Sequence, residues 1–223
     1  MPTASSQPLL ANFPSNRLVS GAGAAIFHVK TMRVVVCYHT VKKYWFLPKG
    51  RRDAGEESTV AAQREGFEES GYRNRLLPLP VSHRQPRDAN PSARFPYSRC
   101  VIEPVWTQLI PLTINTQYLL HWYIAETLDP EAEVAIGAPS REVGYQAPPA
   151  YPDTLRLCDR ILMEPEDYEP TRYEGTGVDD EEAQYTAKLL PVDEALRLLR
   201  GTVMADVVKV GRDLILDRME LEA

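Results

Sequence analysis

The residues of this chain whose types and spacing most clearly suggest chemistry are three glutamates: Glu65, Glu68 and Glu69. The surrounding residues predict a helix that begins near Glu57 or Ser58 and ends at Gly71, because glycine favours the left-handed conformation that closes helices. On that helix the three glutamates occupy positions i, i+3 and i+4, so their carboxylates share one face. On the opposite face, Val60 and Phe67 are expected to pack inward.

Clustered carboxylates of this kind suit a hard metal cation. Like charges one helical turn apart repel each other by roughly 0.2–0.5 kcal/mol per pair, and a helix selected only for stability would intersperse lysines. Mg²⁺ takes oxygen ligands and keeps several coordination positions for water and substrate phosphates. The alternative is a solvated acidic face, which is the usual environment of glutamate. The three carboxylates alone leave both interpretations open.

Further residues around the glutamates extend the pattern. At fixed intervals the stretch contains Gly50, Glu56, Arg64, Glu65, Glu68, Glu69, Gly71 and Tyr72. This pattern resembles the Nudix box, the signature of the Nudix hydrolase superfamily. It departs from the box at Gly66, a position that is usually apolar. Glycine costs about 1 kcal/mol in a helix interior, and we interpret its presence as a local variation in packing.

The resemblance implies a site for Mg²⁺ or Mn²⁺. The ligands that it assigns to the ion are the Gly50 carbonyl and the carboxylates of Glu65, Glu68 and Glu69. A metal ion neutralises charge on phosphoryl oxygens and lowers the pKa of a bound water. Glu68 or Glu69 would accept the proton of the attacking water. The implied reaction is the metal-dependent cleavage of a diphosphate bond.

Arg64 and Glu56 are expected to support these carboxylates. The resemblance implies that Glu56 pairs with Arg64 and holds the preceding loop against the helix. The guanidinium of Arg64 can form forked hydrogen bonds to a carboxylate and fix its orientation. The alternative is an ordinary surface ion pair, which contributes about 0–1 kcal/mol to stability.

Basic residues flank the box and predict a phosphate-rich substrate. The candidate substrate-binding residues are Lys43, Lys49, Arg51 and Arg52. Positive charge beside an acidic helix attracts a polyanion, although such a loop can also serve solubility alone. Residues 83–99 add four arginines and are expected to form a loop insertion. Trp45, Tyr118 and Trp122 could stack a base, but aromatic residues on strands usually belong to the core.

Composition places the chain among ordinary globular proteins. Its 223 residues are enough for one domain with a hydrophobic core. The net charge of −6 argues against a protein that coats nucleic acid. Cys37, Cys100 and Cys158 are widely spaced and indicate neither a disulfide framework nor a zinc site. Because there is no apolar run of ~20 residues and no signal pattern, we expect no membrane segment and a cytoplasmic or nuclear location.

The order of the predicted elements indicates an α/β fold, in which helices lie on both sides of a mixed β-sheet. Residues 1–16 are expected to be disordered. Residues 17–223 are expected to form one domain with insertions near 83–99 and 128–183. This order also matches the α/β/α sandwich of Nudix proteins, as the resemblance implies.

Runs of apolar and β-branched residues give the expected elements. The predicted strands cover residues 18–29, 32–39, 44–47, 100–110, 117–126 and 186–190. A further strand is expected within 73–81, a segment broken by Pro78 and Pro80. Helices are expected at 191–200 and 204–219, and residues 155–163 are expected to form a short helix or strand. Glutamates within 164–182 could supply an additional base or metal ligand, although exposed glutamates are usually solvated.

The predicted function is that of a metal-dependent pyrophosphohydrolase acting on a small, phosphate-rich molecule. The basic residues after the box favour diadenosine polyphosphates or diphosphoinositol polyphosphates. A second possibility is a Nudix fold kept as a ligand sensor or protein-binding scaffold, but such proteins commonly lose the metal-binding glutamates, and all three are present here. Cleavage of ADP-ribose, nucleotide sugars or RNA caps is a further alternative. The sequence gives no oligomeric state.

Overall fold

Residues 10–83, 85, 100–139 and 144–223 are described by a computed structural model. Their β-strands are β1 (Leu18–His28), β2 (Arg33–His39), β3 (Tyr44–Phe46), β4 (Lys49–Arg51), β5 (Asn74–Leu76), β6 (Trp106–Pro111), β7 (Gln117–Thr127) and β8 (Tyr185–Pro191). Their α-helices are α1 (Ser58–Ser70), α2 (Pro130–Ile136), α3 (Leu157–Leu162), α4 (Val192–Leu198) and α5 (Val203–Glu222).

The strands form one mixed sheet, as the sequence predicts, and β1 lies near the centre of that sheet. β1 pairs in parallel with β7 and antiparallel with β2 and β4. β2 also pairs with β3 and β8, and β7 also pairs with β5 and β6. A parallel pair needs a long crossover connection. The chain between β1 and β7 includes α1, which lies on one face of the sheet.

Helices cover both faces of this sheet, which confirms the predicted α/β/α sandwich. β2 shows the alternation: Val34 and Val36 are buried on the α5 side, and Val35 and Cys37 are buried on the α1 side. A strand covered on both faces is apolar throughout, which explains why β2 has no polar alternation. On the α5 side the helix contributes Val207, Val208 and Ile215 to the core, and on the α1 side the helix contributes Ala61 and Ala62.

The box helix has the predicted bounds, and Gly71 closes it in the left-handed conformation (φ 76°). The prediction that Val60 packs inward is wrong, because 39 % of its surface is exposed. Phe67 is buried, but its ring packs on the rings of Tyr145 and Tyr173. The segment that follows β7 therefore covers the outer side of the second half of α1, and the first half stays more open.

The departure from the box at Gly66 has a packing reason. A Cβ at this position would lie 2.6 Å from Nδ2 of Asn74 in β5. That nitrogen donates hydrogen bonds to the carbonyls of Gln63 (3.0 Å) and Tyr72 (3.4 Å). Glycine lets the Asn74 side chain reach the helix backbone, which supports the interpretation of Gly66 as a local variation in packing.

Two predicted strands differ in how well their bounds agree with the structure. The strand expected within 73–81 is β5, which ends before Pro78 as expected, since proline has no N–H for a ladder. The strand predicted at 100–110 begins at Trp106, and Val101 before it forms only an isolated bridge with Leu79. The other predicted elements match the observed bounds within a few residues. The predicted insertion lies mostly outside the described residues, which omit 84 and 86–99.

The long segment after β7 contains α2 and α3, and buried charges hold it against the sheet. Arg160 of α3 contacts Glu126 of β7 (3.1 Å) and Glu164 (2.8 Å). Glu164 also contacts Nε2 of His28 in β1 (2.9 Å). Charged groups are tolerated in an interior when they are paired in this way. The described part of this segment is thus fixed to β1 and β7.

The structure describes only part of the N-terminal segment, residues 1–16, that the sequence predicts to be disordered. Residues 1–9 lie outside the described residues, and Ser15–Arg17 form a single 3₁₀ turn before β1. Disorder over residues 1–16 stays a prediction. In the part of the chain that the structure describes, no helix has the length and apolar character needed to cross a membrane.

Candidate metal and phosphate site

Three carboxylates meet where α1 faces the turn before β8. One carboxylate oxygen from each of Glu65, Glu69 and Glu182 lies within 4.8 Å of the other two. Glu65 and Glu69 are buried on α1, and Glu182 is partly exposed at the start of a 3₁₀ turn. Oxygen atoms at this separation can contact a common cation. We call these three residues the acidic cluster.

Local hydrogen bonds fix the position of Glu182. Oδ1 of Asp179 accepts from the backbone N–H of Glu181 (2.9 Å) and of Glu182 (2.8 Å). Oε2 of Glu182 accepts from the N–H of Val178 (2.6 Å). An aspartate that binds the N–H groups of a turn in this way stabilises the turn. The Glu182 carboxylate is therefore held in place beside α1.

Burial makes the charged forms of the carboxylates in the acidic cluster unfavourable. Burial raises the pKa of Glu65 to about 7 and the pKa of Glu69 to about 8. The positive charges of Arg64 and Lys49 act against burial at Glu65 and Glu69 respectively, without cancelling it. A divalent cation bound there would offset this cost and favour the charged carboxylates. The set of three carboxylates therefore fits Mg²⁺ or Mn²⁺, which prefer oxygen ligands.

Arg64 links the loop before α1 to the carboxylates on α1. Its Nε and Nη2 donate to the two oxygens of Glu56, each at 2.9 Å. Its Nη1 donates to Glu65 (2.8 Å) and to Glu68 (2.7 Å), and its Nη2 also reaches the carbonyl of Arg51 (3.0 Å). The hydrogen bonds from Arg64 lower the pKa of Glu56, so this carboxylate stays charged. The arrangement orients two of the predicted metal ligands through one guanidinium.

Glu68 lies beside the acidic cluster and is not one of its members. One of its oxygens accepts from Arg64, and burial raises the pKa of its carboxyl group. The hydroxyl of Tyr145 is buried nearby and has no hydrogen-bond partner among the described residues. Burial, followed by the charge of Glu68, raises the pKa of Tyr145. Of the three box glutamates, Glu68 is thus the one that lies outside the acidic cluster.

Gly50 approaches the acidic cluster because it has no side chain. A Cβ at this position would overlap the carboxylate of Glu65. The carbonyl of Gly50 accepts a hydrogen bond from the hydroxyl of Tyr118 (2.8 Å). Next to it, the N–H of Lys49 donates to Oε2 of Glu69 (2.6 Å). These contacts join β4 to α1 at the predicted metal site.

The predicted substrate-binding residues divide into two groups. The Lys49 side chain is partly buried, with its ammonium 5.9 Å from the centroid of Phe46, and the Arg51 side chain is exposed on the same short strand. Arg52 donates to the carbonyl of Glu56 (2.6 Å) and so stabilises the loop. Lys43 is exposed in the turn after β2, with a left-handed backbone (φ 59°). The structure therefore brings Lys49 next to the cluster, and Arg51 lies on the same strand.

The three aromatic residues that could stack a base have other places in the fold. Trp122 is buried in the core, and its Nε1 donates to Gln108 (2.8 Å). Trp45 lies on the α5 side of the sheet against Tyr38, with ring centroids 4.6 Å apart. Tyr118 is held by its hydrogen bond to Gly50.

Sequence reasoning found the residues on α1 and placed Glu182 only within a long segment of candidates. Box spacing cannot locate Glu182, which lies more than a hundred residues after α1 in the chain. A weak signal was present, because Asp179 precedes Glu182 by three residues just before the last strand, and this spacing is typical of a capped turn. No pattern in the sequence predicts the hydrogen bond between Tyr118 and Gly50.

Comparison with known proteins gives one family. The model of the family described as NUDIX domain matches residues 18–146, more than half of the chain. No curated protein sequence matches the chain. Among solved structures, a NUDIX hydrolase from Nitrosomonas europaea is similar, with 12 % identity, a TM-score of 0.46 and coverage of 86 % of this chain and 87 % of that one. A C. elegans Ap4A hydrolase in a binary complex is 13 % identical, with a TM-score of 0.45 and coverage of 89 % and 98 %.

Proposed function

Because the chain belongs to the Nudix family of hydrolases, we propose that it is a Mg²⁺- or Mn²⁺-dependent pyrophosphohydrolase that cleaves a diphosphate bond in a phosphate-rich small molecule. One observation carries this proposal. Carboxylate oxygens of Glu65, Glu69 and Glu182 lie within 4.8 Å of one another beside the backbone of Gly50. A cluster of carboxylates that is partly buried and short of positive charge is an unfavourable arrangement without a cation.

The residues that would hold the ion are the three of the acidic cluster, with the Gly50 carbonyl as a further candidate ligand. A bound ion would neutralise charge on the diphosphate and lower the pKa of a coordinated water. Glu68 stands outside the cluster as the fourth carboxylate. Its side chain is held by Arg64 at 2.7 Å. We assign to Glu68 the acceptance of the proton from the attacking water, because it lies outside the cluster and pairs only with Arg64 among the described residues.

Arg64 and Glu56 act on the reaction through the carboxylates that they hold. The paired hydrogen bonds from Arg64 to Glu56 fix the guanidinium, and the guanidinium then fixes Glu65 and Glu68. Such supporting residues typically change metal affinity or activity by about 10- to 100-fold when they are removed. Neither residue is required to touch the substrate in this assignment.

Positive charge beside the site favours a substrate with several phosphates. Lys49 and Arg51 lie on β4, the charge of Lys49 acts on Glu69 of the acidic cluster, and neither side chain forms a close ion pair with another described residue. Positive side chains without a carboxylate partner attract phosphate groups that extend beyond the metal. Diadenosine polyphosphates and diphosphoinositol polyphosphates are therefore preferred over ADP-ribose, nucleotide sugars and RNA caps as candidate substrates.

A panel of substrates tests this function. Purified protein is incubated with Mg²⁺ or Mn²⁺ and each compound, and the products are identified by mass spectrometry. The expected result is cleavage of a diphosphate bond, fastest for the polyphosphate substrates and abolished by a chelator. Faster cleavage of ADP-ribose than of every polyphosphate would refute the preference, and cleavage of none of them would refute the activity.

A double variant tests whether Arg51 and Arg52 cause the preference for substrates with several phosphates. Substituting Arg51→Ala and Arg52→Ala together should raise KM most for the substrate with the most phosphates, since exposed Arg51 is lost along with the loop contact of Arg52. The single variant Arg52→Ala serves as the comparison, because that side chain bonds to the loop. An equal rise of KM for all substrates would mean that these arginines do not distinguish phosphate number.

A further inference from the structure

Four aromatic rings gather on the face of the sheet that α1 covers, beside the acidic cluster. Side chains alternate between the two faces of a strand, so alternate residues share a face. β2, β3 and β8 each contribute to the α1 side in this way. We call the four residues the aromatic quartet: His39, Tyr44, Phe46 and Tyr185.

Each ring of the aromatic quartet contacts two others, so the four form a closed set. The centroid of Phe46 lies 4.9 Å from that of Tyr185 and 5.5 Å from that of Tyr44. The centroid of His39 lies 5.4 Å from that of Tyr44 and 5.2 Å from that of Tyr185. Tilted and edge contacts at these separations are favourable for aromatic rings. The quartet therefore holds each of its rings in a defined orientation.

The quartet adjoins the acidic cluster through Lys49. The N–H of Lys49 binds the carboxylate of Glu69, and its ammonium lies 5.9 Å from the centroid of Phe46. Tyr185 follows Glu182 by three residues, and after burial the charge of Glu69 is the next cause that raises the pKa of Tyr185. A ligand whose diphosphate lies at the cluster would thus have Lys49 and then the quartet beside it on the same face.

Exposure differs sharply within the quartet. His39 and Phe46 are buried, with 0 % and 2 % of their surface accessible, whereas Tyr44 is 44 % exposed. A large ring that is supported by buried rings and open to solvent can stack a flat ligand at low entropic cost. Stacking of a base on an aromatic side chain changes affinity by roughly tenfold or more. Tyr44 has the properties of such a platform.

We propose that Tyr44 stacks the nucleobase of a substrate whose diphosphate binds at the acidic cluster. This inference rests on the proposed function and narrows its substrate class. It selects nucleotides, including dinucleoside polyphosphates, over diphosphoinositol polyphosphates, because an inositol ring has no flat π-face to stack. The Lys49 ammonium, between the quartet and the cluster, would lie along the phosphates that connect the two parts of the substrate.

Calorimetric titration with two compounds that differ only in the nucleoside tests this proposal. The probes are α,β-methylene-ADP and methylenediphosphonate, each titrated with Mg²⁺ into the full chain. The expected result is that the wild type binds the adenine compound at least roughly tenfold more tightly, and that Tyr44→Ala removes this difference without changing the affinity for methylenediphosphonate. Tyr44→Phe should keep the difference, because it keeps the ring.

The control variant is Val41→Ala, which removes an exposed apolar side chain from the turn just before β3 and should bind as the wild type does. Retention of the preference in Tyr44→Ala, or equal loss of affinity for both compounds, would overturn the proposal. If the wild type binds both compounds equally, the diphosphate site stands and the base platform is wrong. If it binds neither, the proposed function itself is wrong. Circular dichroism verifies that each variant is folded.

Discussion

Arg64 donates two hydrogen bonds of 2.9 Å, from Nε and Nη2, to the carboxylate of Glu56. Its Nη1 donates to the carboxylates of Glu65 and Glu68. One side chain thus couples the loop before α1 to the carboxylates on α1. Bidentate pairs between arginine and carboxylate combine strength with a fixed geometry, which lysine cannot reproduce. The orientation of the site therefore depends on a residue that has no assigned contact with the substrate.

Replacing Arg64 tests this dependence. Arg64→Lys should lower kcat/KM by about 10- to 100-fold and weaken Mn²⁺ binding, because the fork to Glu56 and the bonds to α1 are both lost. Activity is measured against Mg²⁺ concentration, and Mn²⁺ binding by electron paramagnetic resonance. The control is Arg212→Lys, whose ion pair with Asp213 lies on the surface and contributes little. Unchanged metal binding in Arg64→Lys would argue that Arg64 does not orient the ligands.

Changing Glu68 or Glu69 to glutamine should affect different properties of the enzyme: kcat for Glu68→Gln and metal affinity for Glu69→Gln. Glu69→Gln removes a member of the acidic cluster, so Mn²⁺ affinity should fall. Glu68→Gln leaves the cluster intact, so Mn²⁺ affinity should persist while kcat falls by roughly 10²–10⁴-fold, the range for loss of a general base. The measurements are a metal titration and steady-state kinetics on both variants, with Glu174→Gln as an exposed control. Loss of metal affinity in Glu68→Gln would instead make Glu68 a ligand.

The raised pKa of Glu69 predicts a pH-dependent stability. Burial raises its pKa from 4.5 to about 8 in the folded chain, so the folded state binds this proton more tightly than the unfolded state. The contribution of the group to stability is therefore present below about 4.5 and is lost as the pH rises toward about 8. In the presence of a chelator, Glu69→Gln should become progressively more stable than the wild type across this window.

Urea unfolding at several pH values measures this difference. Excess Mg²⁺ should reduce it, because a cation that binds only the folded wild type stabilises that state. A difference in unfolding free energy that does not change between pH 5 and 8 would contradict the expected titration. The exposed variant Glu174→Gln should follow the wild type throughout.

Gly66 offers a test of the packing around α1. Gly66→Ala should gain up to about 1 kcal/mol in helix propensity. It should lose about 1–3 kcal/mol because the new Cβ displaces Asn74 from its buried hydrogen bonds. Net destabilisation is therefore expected in thermal or urea unfolding. In an Asn74→Ala background the same substitution should be stabilising, since the clash is gone, and a loss in both backgrounds would reject this explanation.

The elements of the fold were predictable where the pattern is local. The run of β-branched residues in β2 and the spacing from Gly50 to Gly71 depend on residues that are neighbours in the chain, and both predictions agree with the structure. The exposure of Val60 could not be predicted from such a local pattern. Its exposure depends on which part of α1 the segment after β7 covers, and helical periodicity contains no information about that segment.

In the candidate site, too, local spacing predicts some residues, and the position of the others depends on long-range contacts. The sequence predicted the pairing partners Arg64 and Glu56 and the position of Glu65 and Glu69 on one helix face. It did not single out Glu182, because the meeting of Glu182 with α1 depends on the pairing of β8 with β2 and on the turn capped by Asp179. Long-range strand pairing brings these residues together, and no local pattern specifies it.

The proposed function depends on the binding of a divalent cation by Glu65, Glu69 and Glu182. A crystal structure with Mn²⁺, in which anomalous scattering locates the ion, tests this binding. We expect an anomalous peak coordinated by carboxylates of these three residues. A map without a peak there, from protein that binds Mn²⁺ in solution, or a peak on other residues only, would contradict it.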